Sequence, residues 1–487
     1  MSPYNAATLM SFLDRAQSSM RGAAPALWAL GLAVALGAAE PAWAAAVQIE
    51  ARTEAQAYQI RAWRGTTPDD VVLLPRRRIV QYLGLNAFEL VTGQDLGFES
   101  SLRVFADFGL PRGEAEKIDG LRSEDADLQY AYARYANGGF EGRLGRQLYT
   151  DSMDIMAFDG LRLRYMSRFG VGVEAYGGLW VKGSGFLSSS AYQPDGTRES
   201  DSRRLEQGVV GADESLNAIQ PVYGAKLLFG SLKGFSGSLG YRKSLLDGKT
   251  DLERAALELR YGRGLGVNAV AGVDLDLLQL TPAQARIEVR LDRELFAVSA
   301  QALRFTPVFS TNSIWYYFAF APRDEVRARA DFYPVGPLRF YVQALGSLYH
   351  TNINENLGLA NFVDSEDAPS STNVGGSVGT SLRRGSLRSA LDVTYRTGFG
   401  GNQLWVDLTG GYSFDANLLD LDARLSVAHV DDEFNPQLRG NFFGAQLWAS
   451  RMLTPAARVS LVLEQNVNPF TRSDTKAFFL FDLKANL

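Results

Sequence analysis

The chain alternates between apolar and polar residues at every second position, and this alternation returns in segment after segment beyond residue 45. Segment 419–427, LDLDARLSV, places leucine, alanine and valine on one side and Asp420, Asp422 and Arg424 on the other. A period of two residues is the period of a β-strand with one apolar and one polar face. Helical periodicity is nearly absent from the same region, so the sequence predicts an all-β fold.

The alternating segments are long for strands. Each runs for about ten residues, whereas strands of soluble proteins usually have about 5–6 and strands that cross a bilayer need about 9–11. We therefore predict a single large antiparallel transmembrane β-barrel of about 22 strands, with a range of 18–22. The segments are centred near residues 55, 84, 102, 131, 145, 160, 175, 223, 238, 257, 272, 286, 300, 328, 343, 377, 392, 406, 424, 443, 460 and 480.

The lengths of the connections test this count independently. In a barrel whose termini both lie in the periplasm, connections after odd-numbered strands face outside and can be long, whereas those after even-numbered strands are tight turns. Even-numbered segments are followed by short turns such as GS at 230–231 and YPVG at 333–336. The long connections all follow odd-numbered segments, at 64–76, 109–124, 182–217, 306–323, 350–372 and 430–437.

The apolar faces of so many strands need a covering, and lipid is the covering that the sequence favours. No helices are predicted that could cover them, and no repeat of fixed period indicates a soluble propeller or solenoid. In lipid every backbone polar group must find an internal partner, so strands can cross only as a closed sheet. Alternation then turns aliphatic residues toward lipid and charged residues toward the lumen.

The N-terminus has the pattern of an export signal. An uncharged apolar stretch at 25–39, PALWALGLAVALGAA, is followed by Ala42-Trp43-Ala44, which fits the small-x-small rule for signal peptidase. We expect residues 1–44 to be a cleaved signal peptide and 45–487 to be the barrel, with no N-terminal plug. The expected location is the outer membrane of a Gram-negative bacterium.

The C-terminal strand supports that location. Its sequence, AFFLFDLKANL, resembles the signal by which the barrel-assembly machinery recognises outer-membrane proteins, although Leu487 stands where that family usually has an aromatic residue. The expected partners are therefore this machinery during biogenesis and outer-membrane lipid afterwards.

Two adjacent segments resemble a motif of Gram-negative porins. They are GGFEGRLGRQLY at 138–149 and FDGLRLRY at 158–165. The resemblance implies a porin-like channel for small hydrophilic solutes, but related sugar-acid export channels share similar strings, so the solute stays open. It covers about thirty residues, and its matching positions are Gly142, Gly145, Arg146, Gln147, Asp159 and Gly160.

Charged residues on the polar faces are the candidates for lining the pore. Their signs are mixed, so they predict no ion selectivity. The candidates are Arg162, Arg164, Glu258, Arg260, Glu288, Arg290, Arg327, Arg329, Asp331, Asp420, Asp422 and Arg424.

A barrel of this size needs an infolded segment to narrow it. Connection 182–217 is the candidate constriction loop, and a mobile external loop is the alternative interpretation. Its candidate charged residues are Arg198, Glu199, Asp201, Arg203, Arg204 and Glu206.

Composition argues against catalysis and cofactors. The chain has no cysteine and two histidines, so thiolate zinc sites and histidine-rich metal sites are excluded. His350 and His429 lie on segments that are not neighbours, so they cannot share an active site. We expect a non-enzyme without cofactor or metal.

The partners also follow from composition. A net charge of −5 without basic runs argues against nucleic acid. The alternative to a channel is a structural or secretion-related barrel that binds a protein partner. The solute, the direction of transport and the oligomeric state cannot be read from the sequence.

Overall fold

The fold is known from a computed structural model of the chain. The structure describes residues 46–63, 71–109, 124–181, 220–232, 234–246, 248–262, 265–276, 278–291, 295–305, 323–349, 372–398, 401–414, 418–432, 439–469 and 473–486. The predicted signal peptide lies outside these residues, so the boundary at 44 stays a prediction.

Twenty-two strands account for nearly all of the described residues. Each of the 22 predicted centres falls in a different strand, which confirms the predicted fold class. The strands are β1 (Ala46–Trp63), β2 (Val71–Phe88), β3 (Asp95–Asp107), β4 (Glu124–Asn137), β5 (Phe140–Thr150), β6 (Ile155–Met166), β7 (Val171–Val181), β8 (Pro221–Leu232), β9 (Phe235–Leu246), β10 (Lys249–Gly262), β11 (Leu265–Asp274), β12 (Gln279–Leu291), β13 (Phe296–Phe305), β14 (Arg323–Val335), β15 (Leu338–Tyr349), β16 (Thr372–Arg384), β17 (Leu387–Gly398), β18 (Asn402–Phe414), β19 (Leu419–Asp431), β20 (Gly440–Thr454), β21 (Ala457–Val467) and β22 (Asp474–Asn486).

The sheet is closed. Each strand pairs antiparallel with the next, and β1 pairs with β22 through residues 48–57 and 477–486. Closure removes the exposed edge that an open sheet would present, so the ladder hydrogen bonds continue around the whole wall. The described residues include no helix with the length and hydropathy needed to cross a bilayer. They also include no separate plug domain, because every named element belongs to the barrel.

Connection lengths alternate as the sequence predicts. Every connection longer than six residues follows an odd-numbered strand, and turns such as 336–337, 385–386 and 455–456 have two residues. One predicted boundary is wrong: the connection assigned to 64–76 ends at residue 70, and β2 begins at Val71. The run VVLLP hides the period of two, but its backbone extends the ladder with β1.

The outer face of the barrel is aliphatic. Leu144, Val326 and Val342 stand exposed on strands β5, β14 and β15. Aromatic rings of the outer face gather at the strand ends nearer the short turns, which is the predicted periplasmic side. There Phe296 and Phe332 stack with their ring centroids 4.8 Å apart. Tyrosine and phenylalanine at this height are typical of the girdle at a lipid–water boundary.

The polar face is the interior, as contacts across an intervening strand show. Arg388 on β17 reaches Asp422 on β19 at 2.7 Å, passing over β18. Side chains converge in this way only on the concave side of a curved sheet. Gly411 makes the contact possible, because a Cβ at that position of β18 would overlap both partners.

We predict that the two faces differ sharply in their tolerance of charge. Val342→Arg puts a guanidinium on the outer face at mid-strand and should lower the free energy of unfolding by about 2–4 kcal/mol. The matched control is Gln343→Arg on the interior face of the same strand, which should cost much less. Urea unfolding in lipid vesicles measures both variants, and equal losses would contradict the assignment of the faces.

Candidate functional site

The structure places all twelve predicted interior charges on the polar face, but it does not bring them into one site. They are spread over β6, β10, β12, β14 and β19. Several pair along their own strand, as Arg260 does with Glu258 at 2.5 Å and Arg329 with Asp331 at 3.0 Å. Pairs that are open to solvent, such as Arg260–Glu258 with its arginine 65% exposed, contribute little to stability, whereas Asp331 is buried. They leave an interior surface that is hydrophilic and nearly neutral in charge.

A compact group of ion pairs forms where the connection between β5 and β6, residues 151–154, folds inward. Asp154 contacts both Arg242 on β9 and Arg254 on β10, the latter at 3.1 Å. Strands β6 and β10 are four spacings of about 4.8 Å apart, or about 19 Å along the wall. Two side chains alone cannot span that distance, so the connection lies over the interior of the intervening strands.

Asp151 fixes the conformation of this connection. Its Oδ1 accepts hydrogen bonds from the backbone N–H groups of Met153 at 2.8 Å and Asp154 at 3.3 Å. Its other oxygen lies 3.1 Å from Lys226 Nζ and 2.8 Å from an Arg242 guanidinium nitrogen. An aspartate that closes a turn on itself is a typical Asx turn.

Arg242 is the centre of the group. Its side chain is 0% exposed, and it pairs with Asp151 and Asp154 while its Nε donates to the Tyr176 hydroxyl at 3.0 Å. A buried guanidinium requires such partners, since an unpaired charge in a low-dielectric site is costly. We call the five charged residues the inward cluster: Asp151, Asp154, Lys226, Arg242 and Arg254.

Aromatic rings form the base of the inward cluster. Tyr149 lies 4.6 Å from Tyr176 between ring centroids, and Phe158 packs against both rings. Lys226 Nζ sits 4.6 Å from the Tyr149 ring centroid, a cation–π contact. The Tyr149 hydroxyl donates to Glu174 at 2.5 Å, and Glu174 also binds Arg162 at 2.6 Å. Of the predicted pore residues, Arg162 alone thus contributes to this buried network.

The sequence did not predict the inward cluster, although it carried one signal. Met156, Phe158, Tyr176 and Val222 are large apolar residues on the face that alternation assigns to the interior, in three successive strands. Apolar side chains on a polar face indicate that something covers them. The covering element, residues 151–154, is too short for a periodic pattern to reveal it.

The porin-like motif has a structural role in this barrel. Arg146 and Asp159 share the outer face and form a bidentate ion pair at 2.7 and 2.8 Å, with the Arg146 side chain 3% exposed. Gln147 points inward, where its amide donates to the Gly160 carbonyl at 3.1 Å. Gly145 has φ +127°, a conformation that favours glycine. The motif residues hold β5 and β6 to each other, and Arg146 is shielded rather than exposed to lipid.

Other predicted elements fall outside this network. The candidate constriction loop and His350 lie outside the described residues, so the loop stays a prediction. His429 hydrogen bonds to Asn441 at 2.8 Å on the outer face. Within the described residues, no group of three or more histidine, aspartate or glutamate side chains could hold a metal ion.

A closed sheet with an aliphatic outside, an aromatic girdle and a hydrophilic inside defines a transmembrane β-barrel. No family model matches the chain, and no curated protein matches it. Among solved structures it is similar to OccK9 (OpdG) of Pseudomonas aeruginosa, with 11% identity, a TM-score of 0.41 and coverage of 91% of this chain and 99% of that one.

Two further solved structures are similar over the same share of the chain. OccAB4 of Acinetobacter baumannii has 9% identity and a TM-score of 0.43 and is covered over 98% of its length. OccK2 (OpdF) of Pseudomonas aeruginosa, solved in complex with glucuronate, has 9% identity and a TM-score of 0.41, with coverage of 91% of this chain and 98% of that one. Identities of 9–11% and TM-scores of 0.41–0.43 assign no function to this chain.

We predict that Arg242→Ala releases the inward connection. Removing one partner of a buried ion pair typically costs about 3–5 kcal/mol. In this variant Asp151 keeps Lys226 and Asp154 keeps Arg254 as a charge partner, so the loss should lie near the lower end of that range. Urea unfolding in lipid vesicles should show this loss. Arg290→Ala, at a side chain 60% exposed on the interior of β12, is the control and should cost less than about 1 kcal/mol. Similar losses in both variants would contradict the central role of Arg242.

We also predict that acid weakens the inward cluster. Burial by itself raises the pKa of Asp151, but Arg242 and Lys226 outweigh it and hold that pKa below its ordinary value. A lowered folded-state pKa stabilises above the ordinary aspartate value of about 3.9, and this stabilisation is lost as the pH falls through the folded-state pKa. Stability measured from pH 6 to pH 2.5 should therefore fall below about pH 4. Asp151→Asn should show a smaller fall, and an unchanged profile in that variant would contradict the assignment.

Proposed function

We propose that the chain is a porin-like channel that lets small hydrophilic solutes cross the outer membrane of a Gram-negative bacterium. The observation that carries the proposal is the interior surface of the closed barrel. Charged side chains stand in solvent there, as Arg260 does with 65% of its side chain exposed. A wall that is aliphatic outside and hydrated inside favours a water-filled passage over a packed core.

The twelve interior charges are proposed to line this passage. Acidic and basic residues alternate at spacings of two along the same strand, as in Glu288–Arg290 and Arg329–Asp331. Their fields largely cancel beyond a few ångströms, so weak ion selectivity is expected. The balance also favours uncharged or zwitterionic solutes over strongly charged ones.

The width of the barrel requires a constriction. Twenty-two strands spaced by about 4.8 Å and tilted by about 40° give a circular wall about 44 Å across between backbones. Interior side chains leave a passage far wider than a small solute. The inward cluster narrows it from one side, and we propose that segment 182–217 narrows it further.

We also propose how the chain reaches the outer membrane. Residues 1–44 would be removed as a signal peptide, and the barrel-assembly machinery would insert residues 45–487. The amphipathic last strand supports this route, because Phe479, Phe481 and Leu483 share the outer face of β22. The channel needs no cofactor, and an enzymatic activity is not proposed.

Planar-bilayer recording of the purified protein tests the channel. We expect stepwise, ohmic conductance that scales with bulk salt, with cation and anion permeabilities of similar size. A folded barrel that inserts but does not conduct would contradict the proposal and favour the alternative of a barrel occluded by a protein partner. In the same recordings, deletion of 183–216 should raise the conductance, and an unchanged value would contradict the constriction assigned to that segment.

A further inference from the structure

One row of interior side chains, at the same register on five successive strands, differs from the rest of the wall. The ladder aligns Arg383 with Arg388, Arg388 with Gly411, Gly411 with Asp422 and Asp422 with Trp448. The row runs from β16 to β20 and lies in the half of the lumen nearer the short turns, which is the predicted periplasmic half. We call these five residues the Trp448 row.

Trp448 is the unusual member of the row. It is 44% exposed on the interior face, whereas the other exposed large apolar side chains of the described strands lie on the outer face or at strand ends and turns. A tryptophan left open to water in a lumen has an apolar surface that nothing covers. Exposed apolar surface of this kind is typical of ligand-binding sites.

Two other interior aromatic rings, those of Tyr341 and Trp405, are covered by cations. An Arg329 guanidinium lies 3.7 Å from the Tyr341 ring centroid, and an Arg396 guanidinium lies 5.5 Å from that of Trp405. Within the described residues no side chain covers the Trp448 ring in this way. The ring is therefore available to a ligand.

Polar groups converge on the same space. A cavity of about 390 Å³ is lined by Trp448 together with Arg388, Asp422, Asp420 and Arg458. Arg388 holds Asp422 through two bonds at 2.8 and 2.7 Å, and Arg458 lies 3.3 Å from Asp420. These pairs fix the directions of both donors and acceptors. Cavities of about 300–1,000 Å³ with a few fixed polar groups are typical of small-molecule sites.

The charge of the cavity indicates the class of ligand. Three arginines face two aspartates, and Arg388 and Arg458 are already paired, so little positive charge is left over. An anionic ligand would have to lie beside Asp420 and Asp422. A neutral pyranose avoids that repulsion: one face of its ring presents C–H bonds to an aromatic surface, and its hydroxyls require both donors and acceptors.

We infer that the Trp448 row is a binding subsite for neutral sugars, with the pyranose ring stacked on Trp448 and its hydroxyls bound by the Arg388–Asp422 pair. The inference names the solute class and so rests on the proposed channel. The subsite itself requires only the interior wall and binds sugar whether or not the barrel conducts.

The test uses maltose as a neutral probe and glucuronate as an acidic one. Maltose should block the ion current of the folded full-length barrel reversibly, and Trp448→Ala should raise the half-blocking concentration at least fivefold. Trp448→Phe should lose less than Trp448→Ala. Trp405→Ala removes an interior tryptophan that Arg396 covers and should leave the block unchanged.

Calorimetric titration of the same variants in detergent separates this inference from the proposed function. Maltose binding that depends on Trp448 in a barrel that does not conduct would support the subsite and overturn the channel. Equal maltose affinity in the parent and Trp448→Ala proteins, or no measurable binding, would overturn the subsite. Tighter binding of glucuronate than of maltose would overturn the assignment to neutral sugars.

Discussion

The hydrogen bonds between β1 and β22 are the constraint on which the rest of the structure depends. In a bilayer no water is available to an unpaired backbone group, so a sheet of 22 strands can exist there only if its first and last strands meet. Once the sheet is closed, each side chain must face either lipid or lumen. Successive side chains of a strand point to opposite faces, so apolar and polar residues alternate with a period of two along each strand.

Two exceptions to the rule of apolar residues outside and polar residues inside lie on neighbouring strands of the wall. Arg146 and Asp159 are charged residues on the outer face, and Phe158 and Tyr176 are large apolar residues on the inner face. Each departure is compensated locally, since the ion pair is bidentate and shielded while the rings are covered by the inward connection. Such compensated violations of a local rule are typical of sites under functional or structural demand.

The strands can be predicted from the sequence, but the contacts between side chains inside the barrel cannot. Alternation and turn length are local signals, so they predict the number of strands. They misplace the start of β2, where the run VVLLP hides the period of two. The inward cluster joins Asp154 to Arg254 across a hundred positions of the chain, and no local pattern encodes such a contact. The sequence does not reveal the Trp448 site for a related reason: alternation assigns the face of Trp448 but does not show that its ring lacks a covering cation.

The two special regions of the interior stand opposite each other. The inward cluster is centred near β7 and β8 and the Trp448 row near β18, so about eleven of the 22 strands separate them along either direction around the wall. One side is filled by a connection locked through buried ion pairs, and the other presents an open aromatic ring beside fixed polar groups. The inward cluster lies toward the outer ends of the strands, whereas Arg383 and Arg388 of the Trp448 row flank the inner turn 385–386. In the proposed channel the two regions would therefore act in succession along the path of a solute, because the inward cluster narrows the outer half of the lumen and the proposed Trp448 subsite lies deeper.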